Sequence, residues 1–312
     1  QSRAAYKKYE VNALGQQQRV VEYGQARYGQ NLQTTLDPYL SLVLYRALAG
    51  RKGAAVVMDA ENGEVLALVS SPSFDPNVFT SIYSARQPGN AAEDGSVAQN
   101  QQARQQLNSY FTDANQVFFD RVVSGTYPPG SIFKLVTATA ALENQAIDQN
   151  TTVNDEGVLR VGDWAYANWY YTQYGRTEGS IDLVRAITRS NDIFFYKTAE
   201  WVGPQQLAHW ARLFSFGQKP ALPLEQVAAG LVPDPQWKAR VLGEDWYLGN
   251  TYHFGIGQGD LLVTPLQVAQ MTQALANQGE LCQASLIKQE RLNCQSLAID
   301  EGHLELILRG MI

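Results

Sequence analysis

The chain is interrupted at Pro128-Pro129-Gly130, and an apolar run, Ser131–Leu142 (SIFKLVTATAAL), begins at the next residue. The prolines stiffen the approach and the glycine lets the backbone turn sharply. The run itself reads as a helix that is apolar on most sides, and therefore buried. Its first turn carries Ser131 and Lys134. Residues three apart on a helix share a face, so the amine lies one turn from the hydroxyl. A serine hydroxyl is a poor nucleophile until a base takes its proton. A helix N-terminus offers free N–H groups and a dipole that stabilise an oxyanion. A lysine set among apolar residues gives up its charge readily and serves as a base.

The Ser-x-x-Lys spacing is weak by itself. The chain has 16 serines and 8 lysines, and the spacing occurs a second time at Ser285–Lys288. That copy lies in a β-like run, where positions i and i+3 face opposite ways. It reads as coincidence, and the first copy gains its weight from its setting.

The remaining sequence predicts an α/β (α+β) domain, with helices around a mainly antiparallel sheet. The chain has 312 residues, 45% of them hydrophobic. That suffices for a core and exceeds one minimal domain. Residues 1–36 are polar and Gln-rich with short β-like runs, and read as the remnant of a β-rich linker domain. Residues 37–312 form the main domain. Asp37-Pro38 predicts a helix start, with Asp as cap and Pro at the first helical position. Ala54–Asp59 and Val65–Ser70 flank Asn62-Gly63 and predict a hairpin. The first of these strands is apolar nearly throughout, which predicts cover on both faces. Residues 80–116 read as an exposed excursion with a helix near Gln101–Tyr110. Further helices are expected over Ile181–Thr198, Gln205–Phe214 and Pro265–Asn277.

Several function classes drop out. A net charge of −6 excludes a basic nucleic-acid-binding surface. No run of about 18 apolar residues is present to span a membrane. His209, His253 and His303 are scattered without metal-ligand spacing, so no metal is expected. Cys282 and Cys294 are either a small disulfide loop or two unrelated buried thiols, and the sequence leaves both open. The aromatic tract Trp164–Tyr174 either lines a groove or packs over the rim of the site, and rim packing is favoured. Gly255–Gly259 lacks the strand-then-helix order of a dinucleotide loop and reads as a close-packing turn near Ser190.

Tyr127-Pro128-Pro129-Gly130-Ser131-Ile132-Phe133-Lys134 resembles the active-site motif of class B penicillin-binding proteins, and its lead resembles the cell-elongation branch. Gly53–Asn77, Phe254–Gly259 and Leu262–Gln267 resemble further family blocks in the expected order. The resemblance covers roughly residues 30–312. It implies the serine transpeptidase fold, with Ser131 as nucleophile and Lys134 as base. A second family motif, Ser-x-Asn, matches Ser190-Asn191-Asp192. The resemblance gives Ser190 a proton-relay role, with Asp192 where the commoner residue is Asn. Ser190 is at the same time a reasonable helix N-cap. As an ion, Asp192 would pair with Lys134 and hold it charged; protonated, it would act as an amide does. Gly130, Asn191, Gly257, Gln258 and Gly259 are the expected substrate-binding positions.

The resemblance also implies a peptidoglycan D,D-transpeptidase acting on D-Ala-D-Ala stem peptides and acylated by β-lactams, with no metal or organic cofactor. It implies an extracytoplasmic domain on an N-terminal membrane anchor, and a membrane glycan polymerase of the elongation machinery as partner. The family's third motif, Lys-[Thr/Ser]-Gly on a strand, is not found; Lys197-Thr198-Ala199 lies in a helix and is rejected. Glu301–Ile312 resembles the helix that precedes this strand, so the native chain is expected to continue past Ile312. Two alternatives stand: a serine β-lactamase or D,D-carboxypeptidase, and a scaffold or sensor without turnover.

Overall fold

The computed structural model describes residues 4–26, 29, 31–48, 50–84, 94–288 and 293–312. Two compact units result, Gln1–Thr34 and Thr35–Ile312. The first is a hairpin, in which β1 (Tyr6–Val11) pairs antiparallel with β2 (Gln17–Gly24). Its turn is held by Asn12, whose Oδ1 accepts from Leu14 N and Gln16 N, and Gly15 takes a positive φ.

The second unit opens where Thr35 N donates to Leu286 O and Thr35 Oγ1 donates to Val65 O. Asp37 then caps α1 (Pro38–Ala47), accepting from Tyr39 N and Leu40 N. The hairpin forms as β3 (Gly53–Met58) and β4 (Val65–Ser71), with Asp59 Oδ1 receiving Glu61 N in the turn. Helices α2 (Asn77–Ser84) and α3 (Asp94–Thr112) follow. A 3₁₀ turn, Gly130–Phe133, leads directly into α4 (Lys134–Glu143).

Next come β5 (Val153–Asp155), β6 (Val158–Val161), β7 (Trp164–Ala167), α5 (Trp169–Tyr174) and β8 (Gly179–Ile181). Strand β5 pairs with β8, and β6 with β7. Then follow α6 (Leu183–Thr188), α7 (Asp192–Val202), α8 (Pro204–Leu213), α9 (Pro235–Leu242), α10 (Leu248–Gly255) and α11 (Pro265–Ala276). The order ends with β9 (Glu280–Cys282), β10 (Cys294–Ser296) and α12 (Glu301–Met311). Cys282 and Cys294 face each other across the β9–β10 pair and are joined by a disulfide. Among the described residues every sheet is a two-stranded antiparallel pair.

Helix α4 is the axis of the domain. Residues Val136–Leu142 are all buried, and α7, α8 and α12 pack around them. Small side chains, Ala138, Ala140 and Ala141, let those helices approach closely. Phe133, Phe194, Phe195, Phe216, Tyr252 and Phe254 fill the space beside them. A smaller core of Val65, Val122, Val123, Val227, Leu266, Ala284 and Leu286 lies under the hairpin.

Two expectations are corrected. Strand β3 is only half-buried along its whole length, whereas β4 alternates buried and half-buried residues. β3 has β4 on one edge and no partner on the other among the described residues. β4 is met on its far edge by Ser285, whose carbonyl accepts from Val65 N. The helix expected over Ile181–Thr198 is in fact the end of β8 and two helices, α6 and α7. Ser190 breaks it, with φ at +49°, and its N–H closes back on Ile187 O. The excursion over 80–116 is largely helical, in α2 and α3, although residues 85–93 lie outside the described residues.

The segment leading into α11 depends on one buried amide. Gln267 Nε2 donates to Ser215 O, Gln218 O and Ala229 O, and Gln267 Oε1 receives Thr264 N to complete a capping box. Gln267→Ala leaves the buried Thr264 N–H and three part-buried carbonyls without this partner. It is expected to lower unfolding stability by about 2–3 kcal/mol. Denaturant unfolding measures this, and a loss below about 0.5 kcal/mol would show that water replaces the amide.

Candidate active site

Three segments converge on one point: the 3₁₀ turn ahead of α4, the Ser190–Asp192 turn ahead of α7, and the loop after α10. Ser131 sits in the turn and is exposed, while Phe133 and Lys134 below it are buried. The turn is pinned from both sides. Tyr127 exchanges backbone hydrogen bonds with Val263, and Gly130 N donates to Gly257 O at 2.8 Å.

Glycine is required at 257. A Cβ there would lie 2.1 Å from Gly130 O, and φ is +74°. Gly255 plays the same part against α7, where a Cβ would meet Ala199 Cβ at 2.3 Å. The Gly255–Gly259 loop therefore packs on the Ser131 turn as well as on the helix after Ser190. Gly257 is buried and acts through this close approach, whereas Gln258 and Gly259 are exposed beside the turn.

Lys134 Nζ is fully hydrogen-bonded. It donates to Asp192 Oδ1 at 2.6 Å, to Ser190 O at 2.7 Å and to Ser190 Oγ at 3.1 Å. Its side chain is 3% exposed and that of Asp192 12%. Burial pushes the Lys134 ammonium below the ordinary lysine range, and the charge and hydrogen bond of Asp192 oppose that shift. The Phe195 ring, 5.7 Å from Nζ, is a further neighbour of the amine. The Ser131 hydroxyl makes no hydrogen bond among the described residues.

The Ser190–Asp192 turn departs from the expected roles. Asn191, not Ser190, is the N-cap of α7, and its Oδ1 accepts from Phe194 N at 2.8 Å. Its Nδ2 donates to Asp155 Oδ2 at 2.7 Å. Asn191 is 0% exposed with both ends of its amide engaged, so the side chain faces the interior and not a substrate. Ser190 instead occupies a left-handed position that usually takes glycine, at a cost of roughly 1–2 kcal/mol. That conformation turns its hydroxyl and its carbonyl onto Lys134.

Residues of the aromatic tract complete the site. Trp169 N donates to Asp192 Oδ2 at 3.0 Å, and Trp169 Nε1 donates to Arg189 O at 3.1 Å. The aromatic tract thus packs on the rim of the site, and Tyr166 packs on Tyr196, Tyr252 and His253. Ser285 and Lys288 lie outside any helix and apart from these residues, in the segment beside β4.

The arrangement is an exposed serine, a buried amine three residues later, and a second serine hydroxyl on that amine. Comparisons with known proteins place the domain in a family. Residues 53–312 match the model of the penicillin binding protein transpeptidase domain. The chain is 36% identical over 253 residues to the peptidoglycan D,D-transpeptidase MrdA of Acinetobacter baumannii, covering 80% of this chain and 34% of that protein. It is 33% identical over 290 residues to MrdA of Haemophilus influenzae, covering 92% and 41%. The chain thus spans well under half the length of these relatives. Among solved structures, PBP2 of Pseudomonas aeruginosa in complex with WCK 5153 matches with a TM-score of 0.77 at 32% identity, covering 92% of this chain and 60% of that one. The Helicobacter pylori complex between PBP2 and MreC matches with a TM-score of 0.79 at 29% identity, covering 100% and 54%. The chain belongs to the penicillin-binding protein transpeptidase family, as a class B member of the elongation branch.

Proposed function

We propose that the protein to which this chain belongs is a peptidoglycan D,D-transpeptidase that works through an acyl-serine at Ser131. The observation that supports this reading is the buried Lys134 Nζ, shared between Asp192 and Ser190, three residues after the exposed Ser131 at the start of the same helical segment. As an ammonium, Lys134 spends all three N–H donors on protein acceptors. Loss of one proton frees a lone pair for the Ser131 hydroxyl. Ser131 Oγ then attacks the carbonyl of the D-Ala-D-Ala amide while its proton passes to Lys134. The Ser131 N–H, at the start of the turn, supports the oxyanion. Collapse of the intermediate breaks the C–N bond, and Ser190 Oγ relays the proton from Lys134 to the departing D-Ala amine. An amine of a second stem peptide attacks the acyl-serine and releases Ser131.

β-Lactams acylate the same serine by mimicking the donor. Gln258 and Gly259, exposed beside the nucleophile, are the loop positions proposed to meet the substrate. The Helicobacter PBP2–MreC complex and the structure described as a peptidoglycan synthase complex support partners in the elongation machinery. A membrane glycan polymerase is the proposed one. The proposed setting is the extracytoplasmic face of the membrane, held there by a membrane anchor. Among the described residues no helix is long and apolar enough to cross a membrane.

A fluorescent penicillin is expected to label the full-length protein covalently, and Ser131→Ala to abolish the label. Equal labelling of the two would assign the chemistry to another residue. The labelling rate should also rise with pH along a limb set by Lys134, below the ordinary lysine range because the buried ammonium is disfavoured. The sign for stability is the same. The unfolded chain holds the lysine proton to higher pH than the native state, so stability rises across that interval. Asp192→Asn removes the opposing charge and should move the limb to lower pH. A limb that moves upward would rule out the ion pair as the force that keeps Lys134 protonated.

A further inference from the structure

Asp155 closes β5 and is 1% exposed. Its carboxylate accepts four hydrogen bonds. Oδ2 takes Asn168 Nδ2 and Asn191 Nδ2, each at 2.7 Å, and Glu178 N at 3.2 Å; Oδ1 takes Gly157 N at 2.7 Å. Among the described residues it has no ion-pair partner, so neutral N–H groups hold it throughout.

Two of these donors lead to the same place. Asn191 spends its other end on the cap of α7, which sets the backbone of the residue before Asp192. Asn168 spends its Oδ1 on the Asp192 N–H at 3.2 Å, and the next residue's N–H holds Asp192 Oδ2 at 3.0 Å. The remaining oxygen of Asp192 is the one that binds Lys134. An amide can present its oxygen in only one direction while its nitrogen is held in the other. Asp155, by taking both nitrogens, orients both amide oxygens. A leucine at 155 has a similar volume and no acceptor, and so releases both arms.

We infer that Asp155 is a positioning residue for acyl transfer: through Asn168 and Asn191 it sets the Asp192 carboxylate and, with it, Lys134 and Ser190. The inference rests on the acyl-transfer reading above. It deepens that reading by naming a residue one layer below the groups that touch substrate.

The test is a double-mutant cycle on the full-length protein, read as the rate and final stoichiometry of fluorescent-penicillin labelling, with thermal unfolding as the folding control. Asp155→Leu is expected to slow labelling about ten- to a hundred-fold at unchanged final stoichiometry, the range for an ångström-scale displacement of a reacting group. In an Asp192→Asn background the same change should cost less than about three-fold, because its effect passes through Asp192. A merely structural role would give the same factor in both backgrounds, and that result, or an unchanged rate in Asp155→Leu, overturns the inference. If Asp155→Leu does not fold, Asn168→Ala severs the arm to the Asp192 N–H alone, and the same cycle decides with the same two outcomes. Wild-type protein that takes no label at Ser131 fails separately: it defeats the acyl-transfer reading, and this inference with it.

Discussion

The rest of the site is arranged around the contact between Lys134 Nζ and Asp192 Oδ1, 2.6 Å long and almost wholly out of water. A buried ammonium is costly unless paired and fully hydrogen-bonded, and breaking a buried pair typically costs about 3–5 kcal/mol. The protein meets that condition from two directions. Ser190, in a backbone conformation disfavoured for serine, supplies two more acceptors to the amine. Trp169 N and Asn168 hold the Asp192 end. A helix buried nearly all round keeps the lysine from retreating to solvent.

This arrangement reconciles two demands on one amine. To take a proton, Lys134 must be easy to neutralise, and burial supplies that. To keep a fixed position it must be held, and Asp192 with Ser190 supplies that. The two effects act in opposite directions on its protonation, and the desolvation effect is the larger. Glycines at 255 and 257 serve the same end by steric means. They bring one loop against both α7 and the Ser131 turn, so Ser131 and the lysine's partners are referenced to a common piece of backbone.

Much of the fold could be read ahead of the structure because the signals are local. The Asp37-Pro38 start, the Asn-Gly hairpin and the apolar run after Gly130 each follow from residues within one or two turns. The failures share a cause. Ile181–Thr198 is apolar at helical spacing throughout, and nothing in that pattern reports that Ser190 takes a left-handed φ. The Asn191 amide that caps α7 is oriented by Asp155, 36 residues away. Strand β3 is apolar at nearly every position, yet its burial depends on which elements lie beside it.

The sequence by itself determined the family and the placing of Ser131 and Lys134 on one turn. A hydroxyl and an amine three residues apart on a turn are placed by the chain's own geometry, and the blocks that mark the family are contiguous strings. Only the tertiary structure decided how that lysine is held. The Asp155–Asn168–Asn191–Asp192 network joins residues from β5, the start of α5 and the start of α7. Hydrogen bonds between buried polar groups depend on distances and directions in space, to which separation along the chain gives no guide.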